Sequence, residues 1–74
     1  MTREANRRSL VEQVEEAHHA LQASLTLLRE RIEASDAGFY PAHALAEDLE
    51  MHAELTRRWT EKMSELARFY KASS

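Results

Sequence analysis

The chain of 74 residues contains no cysteine, one glycine and one proline. Without cysteine it forms no disulfide and offers no thiolate metal ligand, which fits a reducing, cytoplasmic setting. No apolar run approaches the roughly 20 residues that a membrane-spanning helix needs, and the N-terminus lacks the apolar core of a signal peptide. We therefore expect a cytoplasmic protein that has no membrane partner.

The two helix breakers lie together in the middle of the chain, as Gly38 and Pro41. Outside them almost every residue is a good helix former. The sequence predicts one domain over residues 1–74, with helix 1 at about 3–34, a turn at 35–40 and helix 2 at about 41–71. Ser9 and Glu12 form a capping-box pattern, but a start near Thr2 gives the two helices similar lengths. A connection this short makes the helices antiparallel.

Each predicted helix carries an apolar stripe at alternating three- and four-residue spacing, which places its members on one helix face. The stripe of helix 1 comprises Val11, Val14, His18, Leu21, Leu25, Leu28 and Ile32. The stripe of helix 2 comprises Ala42, Leu45, Leu49, His52, Thr56, Trp59, Met63, Leu66 and Tyr70. The fold prediction is therefore an all-α, coiled-coil-like antiparallel hairpin, and we expect Tyr40 and Phe39 to fold back over its end.

Small and apolar residues flank both stripes at heptad spacing, which gives an apolar surface wider than a two-helix contact requires. A hairpin this small also buries little core of its own. We expect two copies to pair into a four-helix bundle, and the alternative is a hairpin docked on a different protein. The residues expected at such an interface are Ala17, Ala46, Ala53, Leu55, Trp59, Arg7, Arg68, Phe69 and Tyr70.

Charge is segregated along the chain. Residues 1–10 carry a net charge of +2, residues 57–74 carry +3, and residues 11–56 carry −8. In an antiparallel hairpin both basic segments lie at the open end, next to Phe69 and Tyr70. Because arginine and aromatic residues are enriched at interface centres, we expect a partner to bind the open end.

In length and layout the chain is similar to Rop, a plasmid-copy regulator that is a dimer of helical hairpins. That similarity implies RNA binding as one alternative function. The basic residues here are interleaved with acidic ones, however, and the net charge is −3. Nucleic-acid binding depends on a coherent basic patch, so we do not expect a nucleic-acid partner.

The histidines are the best candidates for chemistry. His18 and His52 lie on the stripes, with Glu15 and Asp48 as the nearest carboxylates, so a metal-binding bundle is a further alternative. Buried polar residues in such positions more often specify register, and we expect both histidines to be buried or half-buried and metal-free. No nucleophile, phosphate loop or dinucleotide motif is present, so we expect neither a cofactor nor catalytic residues.

The sequence thus favours a small helical protein–protein interaction module without catalytic activity, such as an adaptor, a regulator, a co-chaperone or an assembly subunit. It does not identify the partner.

Overall fold

The computed structural model describes residues 2–73 and contains two helices, α1 over Arg3–Asp36 and α2 over Ala42–Ser73. They pack side by side as an antiparallel hairpin that measures 53 × 17 × 14 Å. This confirms the prediction of an all-α helical hairpin. Each helix continues two residues beyond its predicted end, and α2 begins one residue after Pro41.

The first helix begins at the earlier of the two candidate caps. The hydroxyl of Thr2 accepts a hydrogen bond from the backbone N–H of Ala5 at 3.1 Å, which satisfies a donor that the first turn leaves free. Ser9 lies inside the helix, where its hydroxyl accepts a hydrogen bond from the side chain of Gln13. Because α1 starts at Arg3, it covers α2 along its whole length.

The turn is a Schellman motif built on Gly38, whose φ is +84°. The N–H of Gly38 donates to the carbonyl of Ser35 at 3.0 Å, and the N–H of Phe39 donates to the carbonyl of Ala34 at 2.8 Å. Glycine adopts this left-handed conformation without the steric penalty that other residues incur. Pro41 then precedes the first turn of α2, where its missing N–H breaks no helical hydrogen bond.

Both helices are rotated relative to the contact that the stripes predicted. Along the contact line, the row of residues where the two helices touch, some stripe residues stay at least half-buried: Val11, Val14, Leu21 and Leu28 of α1, and Leu45, His52, Trp59 and Leu66 of α2. Beside these, α1 buries or half-buries Leu10, Ala17, Ser24 and Arg31. The corresponding residues of α2 are Asp48, Leu55, Lys62 and Phe69. The expectation that all the stripe residues face the partner helix was therefore wrong.

The rotation is explained by pairs of polar side chains that join the two helices. Ser24 and His52 are hydrogen-bonded at 3.0 Å, and Arg31 and Asp48 form an ion pair at 2.9 Å. Ala17 presents only a methyl group, which lets the helices approach closely. Polar pairing and a small side chain thus bring this face inward, and larger apolar residues are left outside.

The core of the isolated hairpin is thin. Within residues 2–73 only Ala17 and Leu28, at 8% and 6% exposure, are buried. The other contact residues are half-exposed along the helix edges. Burial of apolar surface is the main favourable term in folding, so this hairpin gains little of it alone.

Candidate interaction face

Eight large apolar side chains among the described residues are between 39% and 86% exposed. They are Leu25, Leu27, Ile32, Phe39, Leu49, Met51, Met63 and Tyr70. Single exposed apolar residues are ordinary on protein surfaces, so their arrangement is what carries information.

Five of the eight occupy the stripe positions that the rotation turned outward. Leu25 and Ile32 lie one heptad apart on α1, on the same side of its contact line. On α2, Leu49, Met63 and Tyr70 also share one side of the contact line. In an antiparallel pair those two sides coincide, so the five residues share one broad face of the hairpin. We call this set the stripe face.

The opposite broad face contains the grooves. An open groove of about 600 Å³ runs between Gln13, Glu16 and Ala20 of α1 and Arg58 and Lys62 of α2. A second groove of about 290 Å³ adjoins it near the turn, and Leu55 lines both. Leu27 and Met51 belong to this second groove. The groove face therefore carries two of the eight exposed apolar residues, against five on the stripe face.

The three alanines predicted at the interface do not lie together. Ala17 is buried between the helices of the hairpin, at the floor of the larger groove. Ala46 and Ala53 are exposed on α2 and border the stripe face, as do Thr60 and Ala67 at the same heptad spacing. Side chains this small would let a further helix approach α2 closely on that side.

At the open end, the aromatic residues also serve the hairpin itself. The guanidinium of Arg3 lies 4.9 Å from the ring centroid of Phe69, and its Nε donates to the hydroxyl of Ser73 at 3.1 Å. Phe69 is half-buried and packs edge-on against the ring of Tyr70. These contacts join the first turn of α1 to the last turn of α2.

The other residues proposed for the interface differ in accessibility. Arg7 is half-exposed and lies 3.9 Å from the carboxylate of Glu4, whereas Arg68 is exposed. Trp59 is half-buried, and its ring contacts that of His18 at a centroid distance of 5.6 Å. Trp59 therefore serves mainly as packing within the hairpin.

A polar cluster at the turn end involves a residue that sequence reasoning missed. Arg31 Nη1 lies 2.9 Å from Asp48 Oδ1, the Tyr40 hydroxyl donates to Asp48 Oδ2 at 2.6 Å, and the Arg31 guanidinium lies 5.4 Å from the Tyr40 ring centroid. Sequence spacing gave no signal for Arg31, because its partners come from the turn and from α2. Tyr40 folds back as expected, but Phe39 is 86% exposed and does not.

This cluster shifts two ionisation equilibria. The hydrogen bond from Tyr40, supported by the Arg31 ion pair, holds the pKa of the Asp48 carboxyl below its ordinary value of 3.8. The same hydrogen bond raises the pKa of the Tyr40 hydroxyl above 10.0, because the proton that Tyr40 would lose is held by a carboxylate. The cluster is a structural clamp between the turn and both helices.

The residues considered as metal ligands have other partners. His52 Nδ1 is hydrogen-bonded to Ser24, and Asp48 belongs to the turn cluster. His18 is exposed beside Trp59, contrary to the expectation that it is at least half-buried, whereas His52 is half-buried as expected. Within residues 2–73, no three histidine, aspartate or glutamate side chains come close enough together to hold a metal ion. The contacts therefore lend no support to the metal-binding alternative, which also involved Glu15.

Comparison of the chain with protein-family models, with curated proteins and with solved structures finds no match. Neither helix, over the residues described, is long and apolar enough to cross a membrane.

Proposed function

We propose that this protein is a non-catalytic interaction module that binds another protein chain through the stripe face. The observation that carries the proposal is the placement of Leu25, Ile32, Leu49, Met63 and Tyr70 on one side of a hairpin whose own core is thin. Several large apolar side chains exposed on one face are typical of protein-binding sites.

Burial energies support the same proposal. Complete burial of a large apolar side chain contributes about 1.5–3 kcal/mol. The stripe face holds five such side chains that are still 39–49% exposed, so a partner that covers them would add apolar burial that the hairpin lacks. The proposal fits an adaptor, a regulator, a co-chaperone or an assembly subunit, because each of these acts by binding another protein.

Two methionines provide a matched experiment. Met63 lies on the stripe face, whereas Met51 lies in a groove on the opposite face, and both are exposed. A photo-crosslinking amino acid is placed at one or the other position in cells that express the chain naturally, and the irradiated products are analysed by mass. We expect protein adducts at position 63 and few at position 51.

An adduct of any protein mass at position 63 supports binding through the stripe face, whether the bound protein is a second copy or a different one. Equal or greater yield at position 51 would contradict the proposal, because the groove face would then be the binding surface. Circular dichroism establishes that both labelled chains keep their helices.

A further inference from the structure

We infer that the stripe face is covered by a second copy of this chain, with the two hairpins antiparallel, so that the turn of each lies beside the open end of the other. This inference rests on the proposed function and specifies its partner.

The exposed area of the hairpin supports a second copy. A compact monomer of 8.6 kDa exposes about 4,700 Å² according to the usual scaling of area with mass. This chain exposes 5,681 Å². The difference, about 1,000 Å², is comparable to the roughly 800 Å² that each partner buries in a standard protein–protein interface.

The stripe face also has the layout that a two-fold contact requires. In such a dimer the same patch of each subunit must complement itself. Leu25, Ile32 and Leu49 lie in the half near the turn, while Met63 and Tyr70 lie in the half near the open end. A rotation about an axis across the middle of the hairpin therefore brings apolar side chains against apolar side chains in both halves.

Charge then selects the direction. Residues 20–56, the turn half, hold seven acidic side chains and two arginines, a net charge of −5. The remaining residues, the open half, hold eight basic and six acidic side chains, a net charge of +2. An antiparallel dimer places each −5 half beside a +2 half, which is attractive. A parallel dimer places the two turn halves, each of charge −5, side by side, and the two open halves, each of charge +2, side by side.

The border of small residues on α2 fits this arrangement. Ala46, Ala53, Thr60 and Ala67 run along the side of α2 that borders the stripe face. In the antiparallel dimer α2 can lie next to α2 of the second copy, where these side chains let the two backbones come close. The result is a four-helix bundle whose central layer contains the stripe residues of both copies.

One introduced cysteine measures the direction, because the chain has none of its own. Ala37, exposed at the turn, is replaced by cysteine and spin-labelled, and the distance between the two labels of a dimer is measured. The antiparallel dimer predicts a distance approaching the 53 Å length of the hairpin. The parallel dimer predicts roughly 20–25 Å, since its turns lie on neighbouring helices.

Arg57→Cys serves as the matched control, because Arg57 is exposed near the middle of the hairpin. Labels there report roughly the width of the bundle, about 20–30 Å, in either arrangement, and so establish that a dimer is present. A short distance at both positions would overturn the antiparallel arrangement. The absence of any dipolar coupling at both positions would overturn the dimer.

Charge variants provide an independent measurement. Arg7→Glu with Arg68→Glu changes the open half from +2 to −2, and Glu33→Lys with Glu50→Lys changes the turn half from −5 to −1. In the antiparallel dimer both changes weaken attraction, and we expect the dissociation constant to rise about tenfold or more at low salt. Tighter association of the Glu33/Glu50 variant would indicate a parallel dimer and overturn the inference.

The stripe face is tested by a second matched pair. We expect Leu25→Glu with Met63→Glu to raise the dissociation constant at least about 100-fold, because carboxylates would be buried in the interface. Leu27→Glu with Met51→Glu makes the same chemical changes on the groove face and should leave the dimer nearly unchanged. Light scattering over a concentration series measures both variants, and equal loss in both would overturn the assignment of the dimer to the stripe face.

Failure of this inference is distinguishable from failure of the proposed function. A purified chain that remains monomeric, together with an adduct of a different protein at position 63, would remove the second copy and leave the interaction module intact. A monomer without adducts at position 63 would remove both.

Discussion

The hydroxyl of Tyr40 donates a hydrogen bond to the carboxylate of Asp48 at 2.6 Å, which fastens the turn to α2. Arg31 completes the clamp from α1 through its ion pair with the same carboxylate. The turn and both helices are therefore joined through the side chain of Asp48. Asp48 thus contributes to the stability of the hairpin, so its substitution is a poor test of surface binding.

We predict that Tyr40→Phe lowers the melting temperature at neutral pH and that the difference from the natural chain shrinks at both extremes of pH. The pKa of Asp48 is lowered in the folded state, so its stabilisation is present above about pH 4 and lost as the pH falls below that value. The pKa of Tyr40 is raised, so its stabilisation is present below pH 10 and lost as the pH rises beyond it.

Thermal melting followed by circular dichroism at pH values from acid to alkaline measures this profile. Tyr70→Phe is the matched control, because Tyr70 is exposed at the other end of the hairpin and makes a ring contact with Phe69. A Tyr40→Phe chain that melts at the natural temperature throughout would show that the clamp contributes nothing measurable.

Leu28→Ala should destabilise the fold far more than Leu27→Ala. Leu28 is 6% exposed and Leu27 is 45% exposed, although the two residues are neighbours on α1. Truncation of a buried leucine costs about 2–4 kcal/mol, while truncation of an exposed one costs less than about 1 kcal/mol. Urea unfolding at one fixed protein concentration measures both, and a larger loss at Leu27 would place the contact line on the other side of α1.

Gly38→Ala should lower the free energy of unfolding by about 1 kcal/mol, because alanine is strained at a φ of +84°. A methyl group there would meet no atom within 4 Å, so crowding adds nothing to that cost. Gly38→Asn should cost less, since asparagine tolerates the left-handed conformation better. Equal stability of all three chains in urea unfolding would show that the turn rearranges.

Ala53→Glu should weaken the dimer while leaving the helix content of the hairpin unchanged. Ala53 is exposed in the single hairpin, and in the proposed bundle a longer, charged side chain would separate α2 from α2 of the second copy. We expect the dissociation constant to rise about tenfold or more, measured by sedimentation. Ala53→Ser is the control, and identical association of the two variants would place Ala53 outside the interface.

Local chemistry made most of the fold predictable. Thr2 caps the first helix, and Gly38 with Pro41 fixes the position of the turn, because each acts through backbone geometry within a few residues. The antiparallel hairpin follows from a short turn between two helices of similar length. The contact of His18 with Trp59 agrees with the register that a turn centred near Gly38 implies.

Which side of each helix faces the other was not predictable in this way. The shared residues Val14, Leu21 and Leu28 are compatible with two rotations of α1, one that adds Leu25 to the contact and one that adds Ser24. Hydrophobicity alone favours Leu25, and that choice made the stripe appear to be the interior of the hairpin. The structure selects the other rotation.

The sequence by itself thus determined the helices, the turn and the antiparallel pairing, all of which depend on neighbours along the chain. Only the tertiary structure decided which residues are inside, because that choice depends on partners far apart in sequence. Ser24 with His52 and Arg31 with Asp48 meet across the two helices, and their hydrogen bond and ion pair hold the rotation that leaves the stripe face outside.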